Sequence, residues 1–163
     1  MLITGTEVPN YDIKKLYQQG DVQSMLVNSE RFGSHLASTF SKPGSSSLDH
    51  NVVLMKNHGF TAVGGSIKQA VYRAVYTHIN ANVQSNAIML RNADIRLSVA
   101  NVLHSGMPES INYLDEEQVV GCMEMNDSSQ DRPWGLWCRE VEVSPLYVNE
   151  TKDFDPTAVV EWT

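Results

Sequence analysis

Two short apolar runs separated by a polar turn constrain the fold of this chain more than any other feature. The first run, Val52–Met55, is continuous and rich in β-branched residues, which indicates a strand buried on both faces. A polar segment that ends in His58 and Gly59 interrupts it, and residues 60–63 then resume strand character. This pattern predicts a tight β-hairpin with a histidine at its turn.

The hairpin is followed by the clearest helix signal in the sequence. Ser66 and Gln69 have the spacing of a capping box, and they come directly after two glycines that end the second strand. The apolar residues behind this cap recur at helical spacing: Ile67, Ala70, Val71, Ala74, Val75, Ile79 and Val83. We therefore predict a long helix from the cap to about residue 90, and a second helix over residues 95–103.

Extended and helical signals also precede the hairpin. Val8 and Pro9 indicate an edge strand or an entry loop, and residues 11–17 have the spacing of one or two helical turns. Asn28 or Ser29 can cap a helix whose apolar stripe is predicted to cover a sheet. That stripe consists of Phe32, Leu36 and Phe40.

The C-terminal part of the chain carries less regular signals. Asp115 can cap a short helix that extends to about Met123, after which residues 126–130 are polar and predict a loop. Residues 132–143 alternate apolar and charged side chains near their end, which indicates a partly exposed strand or a packed extended arm. We therefore expect residues 126–163 to form an extended C-terminal arm.

Composition and charge exclude several classes of function. The chain of 163 residues has a net charge of −7 and no stripe of basic residues, which argues against a nucleic-acid partner. No apolar run approaches the ~20 residues that span a bilayer, and residues 1–10 do not have the pattern of a signal peptide. Cys122 and Cys138 are too far apart for a metal knuckle or a redox motif, so we expect both to be reduced. A cytoplasmic protein without a membrane partner is expected.

The hairpin and the helix after it resemble a known family. Residues 53–64, followed by a long alanine-containing helix, are similar to the strand, His-Gly turn, strand and helix of class II aldolase/adducin proteins. Upstream, residues 5–9 and the helix around residues 33–40 fit the same order. Downstream, residues 113–117 and the tryptophan-rich tail are similar to one eukaryotic-looking branch of the family. The resemblance covers residues 5–149.

The resemblance implies a fold and an assembly. Class II aldolase-like proteins have an α/β fold of three layers, αβα, with a central, largely antiparallel or mixed sheet, and this chain is expected to be an N-terminally truncated version. Residues 1–163 are then expected to form a single partial domain that ends in the extended arm. The resemblance also implies a homo-oligomer, usually a tetramer, with active sites at subunit boundaries and a small-molecule substrate.

The same resemblance implies a metal site. In such enzymes zinc is held by three histidines, two in an H-x-H pair and one in the H-G turn, so His58 is implied as a ligand of a divalent metal, zinc in this family. No H-x-H pair occurs in this sequence, and the other histidines are far apart: His35, His50, His78 and His104. The histidine pair, the acidic base and the substrate-phosphate loop are expected to precede Met1, and no catalytic residue is assigned.

Two functions from different classes follow from this incomplete site. One is a class II aldolase-like lyase that performs C–C cleavage, decarboxylation or related carbonyl chemistry on a small oxygenated substrate, with His58 in its metal site. The other is a non-catalytic, adducin-like binding or assembly module, or a repurposed metal-free pocket for which tyrosines and tryptophans are the available hints. Arg132, Trp134 and Trp137 are expected either to line a substrate pocket or a subunit interface, or to pack on the chain's own core.

Overall fold

A computed structural model of the chain describes residues 8–100 and 114–148. The helices and strands in these ranges follow in this order: β1 (Asn10–Tyr11), a 3₁₀ helix (Ile13–Leu16), α1 (Glu30–Ser38), β2 (Val52–Met55), β3 (Gly59–Ala62), α2 (Ile67–Ala100), α3 (Glu116–Ser129) and α4 (Asp131–Val143). The described part of the chain is therefore a mixed α/β structure, as the resemblance implies.

The three strands form one mixed sheet in the order β1-β2-β3. β2 and β3 are antiparallel, with Val52 opposite Ala62 and Met55 opposite Gly59, which confirms the predicted hairpin. β1 lies parallel to β2 on its other side. The sheet is thus mixed, as expected, whereas the three-layer arrangement stays a prediction.

The core is formed by the sheet together with α1 and the segments that flank this helix. Its buried side chains come from β1, the 3₁₀ helix, α1, β2 and the loop after α1: Tyr11, Ile13, Phe32, Phe40, Val53 and Met55. Ser29 caps α1 as predicted, because its Oγ accepts a hydrogen bond from the Phe32 N–H at 3.4 Å. Of the predicted apolar stripe, Phe32 and Phe40 are buried, and Leu36 packs against the core as a partly buried side chain.

Strand β2 is not buried on both faces along its whole length, contrary to the sequence prediction. Val52 and Val53 are fully buried, but Leu54 is 38% exposed. Val52 and Leu54 share one face because side chains alternate along a strand, and Val52 lies opposite Ala62 at the end of the hairpin that leads into α2. That face is therefore covered near α2 and open towards the turn that holds His58.

The helix after the hairpin is longer than predicted. α2 is continuous over Ile67–Ala100, where the sequence indicated a break between residues 90 and 95. Residues 91–94 include no proline or glycine, so nothing in the backbone ends the helix there. The last residues of the predicted second helix, 101–103, lie outside the described ranges. None of the helices in those ranges is long and apolar enough to cross a membrane.

The C-terminal segment is helical, which corrects the prediction of an extended arm. Asp115 caps α3 through a capping box with Gln118, and α3 then runs through most of the predicted loop. α4 occupies the residues for which alternation indicated a strand. Pro133 is tolerated because it stands in the first turn of α4, where a backbone N–H has no partner within the helix. The half-buried side chains of α4 recur at helical spacing: Pro133, Trp134, Trp137 and Cys138. Residues 149–163 of the predicted arm lie outside the described ranges.

Candidate functional site

The candidate site is built on the turn that joins β2 to β3. The His58 N–H donates a hydrogen bond to the Met55 carbonyl at 3.0 Å and closes the turn. Asn57 has a φ of 59° and Gly59 a φ of 142°, and the second is a conformation that a residue with a Cβ rarely adopts. A glycine after the histidine therefore lets the chain reverse directly into β3, and His58 is left exposed.

The same turn is tied to the first strand by a backbone contact and a side-chain contact. The Lys56 N–H donates to the Tyr11 carbonyl at 2.9 Å. The Lys56 Nζ donates to Asp12 Oδ2 at 3.2 Å, and Asp12 also caps the 3₁₀ helix by accepting from the Lys14 N–H at 3.2 Å. These contacts fix the backbone that precedes His58, so the imidazole projects from an anchored turn.

The metal site implied by the resemblance needs several ligands close together. Among the residues whose side chains are described, 8–95 and 114–148, no three histidine, cysteine, aspartate or glutamate side chains come near enough to hold one metal ion. His50 precedes β2 whereas His58 follows it, so these two histidines lie at opposite ends of that strand. The described residues therefore do not fit a complete metal site, and the turn offers a single imidazole.

The predicted pocket or interface residues of the tail lie on α4. Trp137 packs against Tyr72 of α2 with ring centroids 6.3 Å apart, whereas Trp134 is half-buried and Arg132 is exposed. Tyr72 also contacts Tyr76, with ring centroids 4.5 Å apart. Trp137 thus packs on another helix of the same chain. A role of the three residues in substrate binding or in an interface stays a prediction.

Tyr72 is the most buried side chain of this aromatic cluster, with 4% of its surface exposed. Its hydroxyl donates a hydrogen bond to Asn126 Oδ1 at 3.0 Å. Burial is the largest cause of a raised pKa at the Tyr72 phenol, so the group stays protonated and keeps donating. The contact links α3 to α2, and it gives Tyr72 a structural partner.

A polar network at the end of the hairpin opposite His58 was missed by sequence reasoning. The Arg73 Nη1 donates to the Val63 carbonyl at 2.8 Å, and the Arg73 Nη2 lies 4.0 Å from Asp127 Oδ1. Gln69 accepts from the Gly65 N–H at 2.7 Å and donates to the same Asp127 oxygen at 3.2 Å. The sequence indicated a loop at Asp127, so its contact with α2 could not be anticipated. The only local signal is that Gln69 and Arg73 share a helix face at a spacing of four residues.

An open apolar cleft of about 290 Å³ lies beside α1, in the described part of the chain. Its lining consists of Gly33, Leu36, Ala37, Phe40, Leu48 and Val63. The lining includes no tyrosine or tryptophan, the residue types that hinted at a metal-free pocket, and no acid or base. The cleft therefore offers apolar contact and no group that could move a proton.

A family profile described as Class II Aldolase and Adducin N-terminal domain matches residues 2–85, which include the hairpin, the His58 turn and the first half of α2. A relative named Decarboxylase tropJ, from Talaromyces stipitatus, is 42% identical over 146 residues, which cover 89% of this chain and 52% of the relative. The chain thus spans about half the length of the curated relative that it matches. No solved structure matches it.

Proposed function

The chain belongs to the class II aldolase and adducin family, and on that basis we propose that it carries part of the reaction site of a lyase, with His58 as a site residue. The observation that carries the proposal is the His-Gly turn, whose backbone is anchored through Met55 and Lys56 and whose histidine is exposed. The 42% identical relative is named a decarboxylase, so decarboxylation is the reaction that we propose first. The substrate class is a small oxygenated acid with a carbonyl group near its carboxylate.

An exposed imidazole can supply part of what decarboxylation requires, which is stabilisation of an enolate and a proton for the product. The bond between the carboxylate and the neighbouring carbon breaks, carbon dioxide leaves, and the electron pair stays on that carbon. A carbonyl group beside this carbon stabilises the pair as an enolate, and a proton then completes the product. An imidazole can hydrogen-bond to the enolate oxygen or donate that proton, and this is the contact proposed for His58.

The remaining parts of the site are proposed to come from outside the described residues. The described side chains include no cluster of three metal ligands, and the sequence has no H-x-H pair. A divalent metal, zinc in the family resemblance, would therefore need further ligands that these residues do not provide. A three-layer fold and a homo-oligomer with sites at subunit boundaries are part of the same proposal.

The proposal is tested with purified protein and a panel of β-keto and hydroxy-substituted carboxylic acids, with release of carbon dioxide as the readout. We expect His58→Ala to lower kcat/KM by about a hundredfold or more, the scale of a lost proton-transfer group. His78→Ala is the matched control, because His78 is exposed on α2 and its Nε2 lies 3.3 Å from Asn82 Nδ2. Each assay is repeated with added Zn²⁺ or Mn²⁺, and bound metal is measured. Equal activity of both variants and the unmodified protein would remove His58 from the site.

A second candidate is a non-catalytic, adducin-like binding or assembly module. The observation that favours it is the incomplete ligand set around His58 in the described residues. An unmodified protein that releases no carbon dioxide from any acid of the panel, with either metal, would favour this candidate. Light scattering over micromolar concentrations then tests assembly, and a strictly monomeric species would count against it.

A further inference from the structure

The connection between β3 and α2 is contacted by two side chains whose terminal groups also reach one carboxylate. Arg73 donates to the Val63 carbonyl at 2.8 Å, and Gln69 accepts from the Gly65 N–H at 2.7 Å. Both side chains reach Asp127 of α3, Gln69 by a hydrogen bond of 3.2 Å and Arg73 by an ion pair of 4.0 Å. Asp127, in the C-terminal helix α3, is therefore linked to the connection through these two side chains.

Gly64, in the middle of this connection, lies directly against the first turns of α2. A Cβ atom at Gly64 would come within 2.6 Å of the Ala70 nitrogen, closer than real Cβ atoms approach a backbone atom. The connection is therefore packed on the helix without space between them. Any shift of the helix's first turns is passed to the end of β3, because the two backbones are in contact.

Asp127 stands where its own helix disfavours a negative charge. It lies in the last turn of α3, at the negative end of the helix dipole, and that turn holds no basic residue. Its Oδ1 instead accepts from Gln69 and from Gln130, each at 3.2 Å, and faces Arg73, whose side chain is 13% exposed. A residue that opposes a local preference in this way is expected to be compensated by tertiary contacts, as Asp127 is.

We propose that Asp127 is a positioning residue, which holds Gln69 and Arg73 against the connection and so sets the orientation of α2 relative to the hairpin that carries His58. β3 is only four residues long, each of its residues pairs with β2, and β2 pairs with β1, so the hairpin is expected to move relative to α2 together with β1, as one body. Asp127 lies at the opposite end of the hairpin from His58 and acts through other residues. Its effect on a reaction rests on the proposed function, whereas its effect on the connection does not.

The test compares Asp127→Ala and Asp127→Asn with Asp131→Asn in the full chain. Asp131 is the matched control, because it also pairs with a basic residue of α2, Lys68, but its side chain is 81% exposed, against 54% for Asp127. Hydrogen exchange of residues 63–66 is expected to accelerate on the order of tenfold in Asp127→Ala. Asp127→Asn is expected to give about a threefold change, because its amide oxygen still accepts from Gln69 while the attraction to Arg73 is lost. Asp131→Asn is expected to leave exchange unchanged.

The kinetic readout is the division of the effect between kcat and KM for carbon dioxide release. A positioning role predicts that kcat falls in the same order as exchange accelerates, with KM unchanged. Unchanged exchange at residues 63–66 in Asp127→Ala overturns the proposal, as does an equal change in Asp131→Asn or an equal acceleration in β2, which would indicate general destabilisation. Accelerated exchange with unchanged kcat overturns its catalytic part. If the unmodified protein has no lyase activity, the proposed function fails, and the exchange data alone decide whether Asp127 holds the hairpin.

Discussion

Different interactions hold two regions of the molecule in place. These are the hairpin region, residues 8–65, and the C-terminal helix pair, α3 with α4. The hairpin region buries large apolar side chains such as Phe32, Phe40 and Val53, each at most 4% exposed. No residue of α3 or α4 is buried, and several of their large apolar side chains are more than half exposed: Val120, Met125, Leu136 and Val143. The contacts of the pair with α2 include the packing of Trp137 on Tyr72 and several polar contacts.

This difference predicts which region is the more stable. Burial of apolar surface contributes roughly 25 cal/mol per Å² to the free energy of unfolding, and contact with water gives an apolar side chain no comparable stabilisation. Exposed hydrogen bonds and ion pairs compete with water, so each contributes little to the free energy of unfolding. The hairpin region is therefore expected to be the stable unit and the helix pair the one that opens first. The exposed His58 is thus held on the firmer part of the molecule.

The largest expected effect comes from emptying the core of the hairpin region. Phe32 is 4% exposed and packs edge-on against Tyr17, with ring centroids 5.6 Å apart. Phe32→Ala is expected to lower the free energy of unfolding by about 3–5 kcal/mol, because it leaves a cavity. Leu136→Ala in α4, at a side chain that is 59% exposed, should change it by less than about 0.5 kcal/mol. If denaturant unfolding shows similar losses in the free energy of unfolding for both variants, the expected difference in stability between the two regions is wrong.

A smaller effect is expected at the joint between the hairpin and α2. Gly64→Ala would place a Cβ 2.6 Å from the Ala70 nitrogen, so the backbone must shift at a cost of about 1–3 kcal/mol. At Gly65 the nearest atom to an added Cβ is the flexible Gln69 Oε1 at 3.6 Å, an ordinary contact. Gly65→Ala should therefore be tolerated. Thermal unfolding of both variants checks this, and equal stability of the two would show that the joint is loose.

In the helix pair, the cap of α3 is expected to contribute about 1 kcal/mol. Asp115 Oδ1 accepts from the Gln118 N–H at 2.8 Å, and the Gln118 side chain accepts from the Asp115 N–H at 3.1 Å. Asp115→Ala removes one of these bonds and is expected to accelerate hydrogen exchange in α3 while leaving β2 unchanged. Glu117→Ala, which removes only a charge from the first turn, should have a smaller effect. If exchange in α3 accelerates less than expected in Asp115→Ala, and no more than in Glu117→Ala, then packing and not the cap holds this helix.

The smallest effect is an acid dependence in the hairpin region. A hydrogen bond from the Gln18 N–H, followed by one from the Arg31 guanidinium, lowers the pKa of the Asp21 carboxyl below its usual 3.8. Stability from this carboxylate is present above the unfolded pKa and is lost as pH falls through the lower folded pKa. Asp21→Asn is therefore expected to lose less stability than the unmodified chain between about pH 5 and pH 2. Parallel acid unfolding curves for the two proteins would contradict the assignment.

Local signals predicted the hairpin region well, and their limits explain the errors elsewhere. The Ser29 cap and the hairpin turn at His58 depend on residues that are neighbours in sequence, so their spacing was sufficient, and the same holds for the Asp115 cap in the helix pair. In α4 the alternation near its end competed with the helical spacing of its half-buried residues.

The candidate site likewise has a part that the sequence predicts and a part that it does not. The His-Gly turn was readable because Gly59 needs a conformation that other residues rarely adopt. The contact between Arg73 and Asp127 joins helices that are distant in sequence, and it could not be read because the segment with Asp127 has no helical periodicity of its own. Polar contacts of this kind depend on the packing of helices, which a local pattern does not encode.

Native-state hydrogen exchange, resolved by residue, tests most directly whether the two regions are held in different ways. We expect the amides of Val53 and Thr61, paired in the hairpin, to exchange only on nearly global unfolding, whereas amides in the middle of α3 and α4 should exchange by local opening at a clearly lower free energy. Equal protection in the hairpin and the helix pair, or stronger protection in the helix pair, would contradict it.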